Sequence, residues 1–311
     1  MQSIVEAINF LGPGNCVLSI VEGRSTDGTY EILYLLRKEI ENLGARYIFE
    51  KNDTDPTADN WKDRIEILAG LRNQALINLT GDPGKYAEDT VVIFMNDVII
   101  CAEDILELVH QKTYQQADMV CAMDWNPDPY DVLFYHSMEW TFYDVWIARG
   151  MTGDSFFEIT NEGSWKYAAD TFRHDPESRA HLQANEPFQV YSCWNGAVVF
   201  SAKPLIKDHI RFRAHTAKES YQGEPQLFCK DLWSSGYGKI AAVPAVSLIY
   251  ESKYAEELKN DKGYVSTHVD MNKNDDSNFI AWKANPPPMV KVWNTYTTQK
   301  WIPWNEGLKL I

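Results

Sequence analysis

Three acidic side chains follow short apolar segments of this sequence at the points where those segments end. They are Glu22, Asp97 and Asp124. If the segments are strands of one α/β sheet, their carboxyl ends meet at a crevice, where such folds bind ligands. A crevice lined with carboxylates suits a hard metal ion that prefers oxygen ligands. Asp97 and the preceding Asn96 are also good helix-capping residues, so a purely structural role stays open for this pair.

Three further residues carry charges that could take part in chemistry. Arg72 replaces an apolar residue on the inward stripe of a helix predicted over residues 61–79, so it must form an ion pair or meet an anionic ligand. Both alternatives stay open. Glu224 precedes Pro225, a favoured first-turn residue, and is either a helix cap or a catalytic acid. His268 is an isolated histidine that could ligate a metal.

Alternating strands and helices would position these residues. A strand over residues 15–21, a helix that ends near Leu43 before Gly44, and a second strand over residues 46–50 form a predicted βαβ unit. The apolar run Val91–Met95 is typical of a central strand that is covered on both faces. The pattern therefore predicts an α/β fold with a mostly parallel, Rossmann-like central sheet flanked by helices.

The second half of the sequence is less regular. Residues 126–187 show no clean period and are interpreted as an elaborated region over the sheet. Strand character returns over residues 188–200, interrupted at Asn195-Gly196, and a helix and a strand over residues 239–250 follow. The segment from residue 252 onward lacks a period and is predicted to wrap the surface as an irregular tail. We predict one continuous domain.

The composition of the chain excludes some classes of function and permits others. A formal net charge of −15 argues against nucleic-acid binding, which needs clustered basic residues. The 11 Trp, 16 Tyr and 13 Phe are a surplus that fits core packing or stacking on sugar rings. No apolar window is long enough to span a membrane, and no signal peptide is visible. The 5 cysteines contain no CxxC pair, and Cys16, Cys101 and Cys121 are interpreted as buried fillers. Two sequons, at Asn52 and Asn78, permit a secretory location.

Several of these segments together resemble the fungal capsule-associated α-1,3-mannosyltransferases of the cryptococcal type, glycosyltransferase family 69. The segments are Val21–Thr29, Leu71–Leu76, Phe94–Val98, Met123–Trp125 and Cys193–Gly196. The resemblance implies a GT-A fold, GDP-mannose as donor, a mannose-containing glycan as acceptor, a divalent cation (Mn²⁺ or Mg²⁺) and retention of anomeric configuration. It also implies a type II Golgi membrane protein whose anchor this sequence does not contain.

The resemblance also divides the chain and assigns roles to its residues. Residues 15–125 would form the half that binds the nucleotide sugar, residues 126–250 the acceptor and catalytic half, and residues 251–311 the C-terminal tail. Asn96 and Val98 stand where GT-A enzymes carry the two acids of Asp-x-Asp, which leaves Asp97 as the one acid there. The implied donor-binding residues are Glu22, Ser25, Asp27, Arg72 and Asn96, and the implied metal ligands are Asp97 and His268.

The resemblance also assigns residues to catalysis and to acceptor binding. Asp124 and Glu224 are the candidates for deprotonating the acceptor hydroxyl, although the leaving phosphate of a retaining enzyme could take that proton itself. Trp125, Trp194 and Asn195 would bind the acceptor, with core packing an equal alternative for both tryptophans. Another nucleotide-sugar donor, a non-catalytic glycan-binding relative and, least favoured, a glycoside hydrolase remain as alternative functions.

Overall fold

The computed structural model describes residues 1–57, 61–127, 139–271 and 279–308, and for residues 61–63 and 269–271 it describes the backbone alone. Among the described residues, no helix is both long and apolar enough to cross a membrane.

The N-terminal part contains the predicted βαβ unit. Helix α1 (Gln2–Leu11) precedes strand β1 (Val17–Glu22), helix α2 (Thr29–Leu43) and strand β2 (Arg46–Lys51). Strands β1 and β2 pair in parallel and form a sheet of their own. Gly44 ends α2 with a φ of 98°, a left-handed conformation that glycine adopts without steric cost. This confirms the predicted stop signal.

The next segment leads to the strand that precedes Asp97. Helix α3 (Trp61–Ala75) and helix α4 (Ile77–Gly81) are followed by strand β3 (Val91–Met95) and helix α5 (Ala102–Tyr114). The single helix predicted over residues 61–79 is therefore two. The Ser19 hydroxyl of β1 donates a 2.8 Å hydrogen bond to the Ala75 carbonyl at the end of α3, where the helical hydrogen-bond pattern stops.

The main sheet is mixed. It contains β3, β4 (Met119–Pro127), β5 (Trp140–Phe142), β6 (Arg149–Gly150), β7 (Phe188–Ser192), β8 (Ala197–Ser201) and β9 (Ile240–Leu248). The strand order is β3-β8-β4-β9-β7-β6, and β5 pairs with β4. Only β4 and β9 pair in parallel among these described strands, and the other pairs are antiparallel. The α/β class is confirmed, but the predicted mostly parallel sheet is wrong.

The position of β3 also differs from the prediction. It lies at the edge of the main sheet, pairs with β8, and is half-buried along its length. The strands at the centre are β8, β4 and β9, which are almost completely enclosed. A short apolar run looks the same in sequence whether its strand is central or borders a large cavity, so the pattern could not separate these cases.

The remaining helices pack around this sheet. They are α6 (Pro176–Gln183), α7 (Lys203–Lys207), α8 (Glu224–Ser234), α9 (Ala255–Lys262) and α10 (Val265–Met271). The chain ends in an antiparallel hairpin of β10 (Met289–Val292) and β11 (Lys300–Pro303). Val290, Val292 and Ile302 of this hairpin are buried in the main core. The prediction of an irregular tail is therefore wrong, because the C-terminal segment supplies two helices, a hairpin and core side chains.

A disulfide crosses the core between Cys121 of β4 and Cys193, the residue that follows β7. Cys121 is buried, as predicted, but it is a cross-link rather than a filler. The thiol of Cys229 on α8 is buried beside it, with its Sγ 3.6 Å from the Cys193 carbonyl oxygen. Burial raises the pKa of Cys229 to about 12, so this thiol stays protonated near neutral pH.

Candidate active site

A cavity of 1880 Å³ opens between the β1–β2 sheet, β3, α3 and the start of α8. Pockets for one drug-sized ligand measure roughly 300–1,000 Å³, so this cavity has room for two ligands side by side. One end is apolar, with Ile8, Leu18 and Ile93 among its residues. The other end is polar and is lined by Arg72, Asn96, Asp97, Asp144, Glu224 and Tyr250.

Strand directions explain why these polar residues meet. Strands β3 and β4 both run antiparallel to β8, which lies between them, and β4 runs parallel to β9. The three strands β3, β4 and β9 therefore point the same way, and their carboxyl ends lie along one edge of the sheet. Asp97 and Tyr250 come just beyond the ends of β3 and β9, and Asp124 lies within the last part of β4. A cavity does lie at these strand ends, but of the three acids predicted to line one crevice only Asp97 lines it, while Glu22 and Asp124 are buried outside its lining.

Arg72 is fixed by several groups at once. Its Nε donates a 2.9 Å hydrogen bond to Glu224 Oε1, and its Nη1 donates to Asn96 Oδ1 at 3.4 Å. Its guanidinium carbon lies 4.4 Å from the ring centroid of Trp194, a cation–π contact. The ion-pair alternative for Arg72 is confirmed. Glu224 is the first residue of α8, whose N-cap is Gly223, so its carboxylate is a salt-bridge partner rather than the cap.

The side chain of Asn96 forms hydrogen bonds with three other residues. Besides Arg72, its Oδ1 accepts from Trp194 Nε1 at 3.2 Å, and its Nδ2 donates to the Tyr250 hydroxyl at 3.4 Å. Two donors therefore already satisfy the amide oxygen that stands where an acid was expected. The adjacent Asp97 is exposed to the cavity and makes no hydrogen bond or ion pair with any described residue. Asp97 is therefore a carboxylate that is available to a ligand or a cation.

Asp124 and Asp144 are neighbouring acids, of which Asp144 lines the cavity and Asp124 does not. Asp124 is completely buried, its Oδ1 accepts a hydrogen bond from the Asp144 backbone N–H at 3.3 Å, and its Oδ2 has no partner. Burial, and then the charge of Asp144, raise the pKa of Asp124 well above its ordinary value. Desolvation raises the pKa of Asp144 to about 7, against the opposing effects of the Asn195 N–H and the Arg72 charge.

Asp144 is the functional candidate that sequence reasoning missed. It lies just after β5, in the stretch of residues 126–187 that shows no period, between Tyr143 and Val145. Its Oδ2 accepts a 3.0 Å hydrogen bond from the Asn195 N–H. Tyr143, also missed, is 49% exposed, lines the cavity, and packs its ring 4.8 Å from that of Tyr250. The one available signal was an acid within the aromatic-rich run Phe142–Trp146.

The residues predicted to bind the acceptor are largely enclosed. Trp125 lies in the core, where its Nε1 donates to Ser247 Oγ at 3.2 Å and Lys262 Nζ lies 4.5 Å from its ring centroid. Trp194 lines the cavity but is 1% exposed. Asn195 is fully buried, and its Nδ2 donates to the Ala122 carbonyl at 2.7 Å. These contacts favour core packing for both tryptophans and a positioning role for Asn195.

The predicted nucleoside loop lies beside the cavity rather than in its wall, which reaches Val21 on β1. Glu22 is buried, and its Oε1 accepts from the Ser25 N–H at 3.0 Å while its Oε2 has no partner. Hydrogen bonding by the Thr29 side chain, and then by the Thr29 N–H, which donates to Asp27 Oδ1 at 3.1 Å, lowers the pKa of Asp27 and ties it to the start of α2. Glu22 thus keeps an unused acceptor, and Asp27 has a structural task.

His268 does not join the polar end of the cavity. It lies on α10, is buried, and its Nε2 is 2.9 Å from the Lys262 carbonyl oxygen. It is absent from the cavity lining. Within the part of the chain that the structure describes, no group of three or more His, Cys, Asp or Glu side chains is arranged to hold a metal ion. The structure therefore offers Asp97 to a cation without His268 beside it.

Comparison with known proteins identifies the family. Residues 1–231 match the family described as cryptococcal mannosyltransferase 1. The chain is also 33% identical, over 336 aligned positions, to the alpha-1,3-mannosyltransferase CMT1 of Cryptococcus neoformans var. neoformans, and this alignment covers 98% of the chain and 69% of that protein. The resemblance seen in the sequence motifs is confirmed, and the chain belongs to the cryptococcal mannosyltransferase family, a family of glycosyltransferase enzymes.

Proposed function

We propose that this enzyme transfers mannose from GDP-mannose to a hydroxyl of a mannoside acceptor, forming an α-1,3 linkage with retention of configuration on a GT-A-type fold. The observation that carries the proposal is the polar end of the cavity. Arg72, Asn96, Asp97 and Glu224 converge there, in a chain that aligns over 98% of its length with an alpha-1,3-mannosyltransferase.

Arg72 suits the diphosphate of the donor. Glu224 and Asn96 hold its Nε and Nη1, while its Nη2 donates to no acceptor among the described residues. The stacking on Trp194 fixes the plane of the guanidinium. A planar fork that is held in place loses little entropy on meeting a phosphate, so Arg72 is prepared for an anionic ligand.

Glu22 supports guanine as the base. The Watson–Crick edge of guanine presents neighbouring N–H donors, and a carboxylate accepts from such donors. Glu22 has a buried Oε2 without a partner, at the end of β1 beside the cavity wall. An unsatisfied buried acceptor costs free energy that a base with matching donors would recover. Uracil offers one ring N–H, so Glu22 would discriminate in favour of GDP over UDP.

The residues around Asp97 fit a divalent cation that is held jointly by one protein carboxylate and the phosphates of the substrate. Mg²⁺ and similar ions are commonly held by one or two carboxylates together with substrate phosphates, so a complete protein cage is not required. Asp97 is the unpaired carboxylate for this role, while the Asn96 oxygen is already engaged by Arg72 and Trp194. When bound, Mn²⁺ or Mg²⁺ would supply Lewis-acid stabilisation of the leaving diphosphate.

The protein's own groups would direct the transfer by position and charge. Arg72 would hold the diphosphate and stabilise the negative charge that develops on it as the bond to the sugar carbon breaks. Asn96 and Glu224 would keep Arg72 in place through the hydrogen bonds that they already make. The exposed ring of Tyr143 replaces Trp125 as the surface on which a sugar ring would pack.

A luminal location in the Golgi, with a type II topology, is part of the proposal. The buried disulfide between Cys121 and Cys193 supports it, because disulfides persist in oxidising compartments such as the secretory pathway. The two sequons in the sequence are compatible with the same location.

The test is a calorimetric titration of GDP, GDP-mannose and UDP-sugars, each with and without Mn²⁺, on the wild type and on Asp97→Ala. We expect GDP-mannose to bind in a Mn²⁺-dependent manner, and Asp97→Ala to lose that dependence. Asp261→Ala is the matched control, because Asp261 is 58% exposed and lies outside the cavity. It should bind like the wild type.

The other outcomes separate the alternatives. Preferential binding of UDP-sugars would replace GDP-mannose by another donor on the same scaffold. Binding that is tight without metal in both proteins would assign Asp97 a purely structural role. Binding of donor without any release of product in the presence of mannosides would indicate a non-catalytic relative. This is the second candidate function, and it stays open because Asn96 stands where GT-A enzymes carry an acid.

A further inference from the structure

We propose that Asp144 is a catalytic residue that faces the acceptor and takes the proton of the attacking hydroxyl. This inference rests on the proposed function, because it concerns the same transfer reaction. It differs from the expectation that Asp124 or Glu224 is the base, and from a transfer in which the leaving phosphate takes the proton.

Access to the substrate distinguishes Asp144 from Asp124. Asp124 is 0% exposed, so a hydroxyl cannot reach its carboxylate without rearrangement of the core. Asp144 is half-buried and lines the polar end of the cavity with Asn96 and Tyr250. Its Oδ2 is held by the Asn195 N–H, and its Oδ1 accepts no hydrogen bond from any described residue. One oxygen is thus fixed, and the other is available to a ligand.

Charge pairing distinguishes Asp144 from Glu224. Glu224 forms a 2.9 Å salt bridge with Arg72, so a proton transferred to it would break a buried ion pair. Asp144 forms no salt bridge with any described residue, and a proton placed on it disrupts no ion pair. It is also anchored by a backbone donor rather than a flexible side chain, which keeps its orientation constant during the reaction.

The surroundings of Asp144 give it the proton affinity that a base needs near neutral pH. Charged and titratable groups face Asp144 from several elements. They are Asp124 on β4, Arg149 on β6, Arg72 on α3, Glu224 and Cys229 on α8, Tyr250 just after β9, and the adjacent Tyr143. Arg72 and Arg149 favour its charged form, whereas burial and Glu224 oppose it, and burial dominates. Its pKa is raised to about 7, near the value at which a general base is most effective.

The step balances without any further reactant. The oxygen of the acceptor hydroxyl forms a bond to the anomeric carbon of the donor sugar on the face from which the diphosphate departs, as retention requires, and the bond from that carbon to the diphosphate oxygen breaks. The electron pair of the broken bond stays on the nucleoside diphosphate. The hydroxyl proton passes to Oδ1 of Asp144, which returns it to water after the product leaves.

The experiment compares the wild type with Asp144→Asn in steady-state transfer from GDP-mannose to a mannoside. Asparagine keeps an oxygen that accepts from the Asn195 N–H but cannot take the proton. We expect kcat to fall by about 100-fold or more, the usual contribution of a general base, with the affinity for GDP unchanged by calorimetry. In the wild type, kcat/KM should fall as pH decreases below about 7, and the residual activity of Asp144→Asn should lack this decrease.

A purely structural role predicts a different result, because Asp144→Asn preserves the hydrogen bond to Asn195. Transfer within a few-fold of the wild type by the folded variant would overturn the inference while leaving the proposed function intact. A wild-type profile with no decrease between about pH 8 and 5 would overturn it as well, and this measurement does not depend on folding of the variant. If another nucleotide sugar proves to be the donor, the same comparison is made with it. A wild type that transfers from no donor refutes both proposals.

Discussion

Removal of the disulfide should destabilise the enzyme by an amount that the structure allows to be calculated. Cys121 and Cys193 are separated by 72 residues. In the chain-entropy account, opening a loop of that length gives the unfolded state freedom equivalent to about 4 kcal/mol at 25 °C. Both positions are fully buried, so the replacement should be alanine, because serine would leave buried hydroxyls in need of partners. The double variant Cys121→Ala/Cys193→Ala is expected to lose about this much free energy of unfolding.

Urea unfolding of the double variant and the wild type measures both parts of this reasoning. The midpoint should fall, and the m-value should rise, because an unfolded chain without the cross-link exposes more surface to denaturant. The control is Cys16→Ala, which removes a free, half-buried thiol and leaves the disulfide intact. It should stay within about 1 kcal/mol of the wild type.

The disulfide should also matter for activity, since Cys193 immediately precedes Trp194 and Asn195. Trp194 stacks on Arg72, and the Asn195 N–H holds Asp144. We expect transfer activity to fall in the double variant even at temperatures where it remains folded. A double variant with the stability and m-value of the wild type would refute the reasoning, because it would show that the cross-link does not restrict the unfolded chain.

Two further predictions concern the charges of the site. Glu224→Gln leaves the 13% exposed Arg72 side chain without its countercharge, which should lower the free energy of unfolding by about 3–5 kcal/mol. GDP would supply the missing negative charge, so GDP should raise the melting temperature more in this variant than in the wild type. An equal or smaller increase would contradict a contact between Arg72 and phosphate. Asp124→Asn tests the buried acid. Burial raises the pKa of Asp124 in the folded protein, whereas the unfolded chain loses this proton near the ordinary pKa of about 4. The free energy of unfolding of the wild type should therefore fall as pH rises above about 4. The variant mimics the protonated acid and should lack this contribution, so its advantage over the wild type should grow with pH in urea titrations; a difference that stays constant would show that Asp124 ionises normally.

The sequence predicted those parts of the fold and site that depend on local patterns. The βαβ unit, the glycine stop of α2 and the acids at the strand ends all follow from short-range signals. Arg72 was recognised because a charge on an apolar stripe requires a partner, and Glu224 supplies it. The hypothesis for Arg72 therefore came from the cost of burying a charge, and the hypothesis for Asp97 came from its place after an apolar run and from the family resemblance.

The parts that could not be predicted depend on contacts between distant segments. Asp144 is oriented by the backbone of Asn195, 51 residues later in the chain, and no local period marks it. Strand direction could not be predicted from the sequence either, because an enclosed strand is apolar on both faces whether its neighbour is parallel or antiparallel. Trp125 and Trp194 carry the same side chain, but only Trp194 lines the cavity. Trp125 is enclosed by the packing of β4 against β9, where its Nε1 donates to Ser247.

The charges at the polar end of the cavity give an independent reason for a cation in the proposed reaction. Arg72 is balanced by Glu224, and burial raises the pKa of Asp124, which disfavours the charged form of that acid. Asp97 and Asp144 remain as carboxylates without ion-pair partners among the described residues. A diphosphate that enters beside them adds further negative charge, and two like charges 4 Å apart repel by about 1 kcal/mol in water and about 4 kcal/mol at an effective dielectric constant of 20. Arg72 is already paired with Glu224, Arg149 is fully buried, and Arg64, which also lines the cavity, donates to the Pro56 carbonyl, so an added cation would offset this repulsion. The donor would therefore need to bring a divalent cation with it, and Asp97, exposed to the cavity and unpaired, is the side chain placed to receive it.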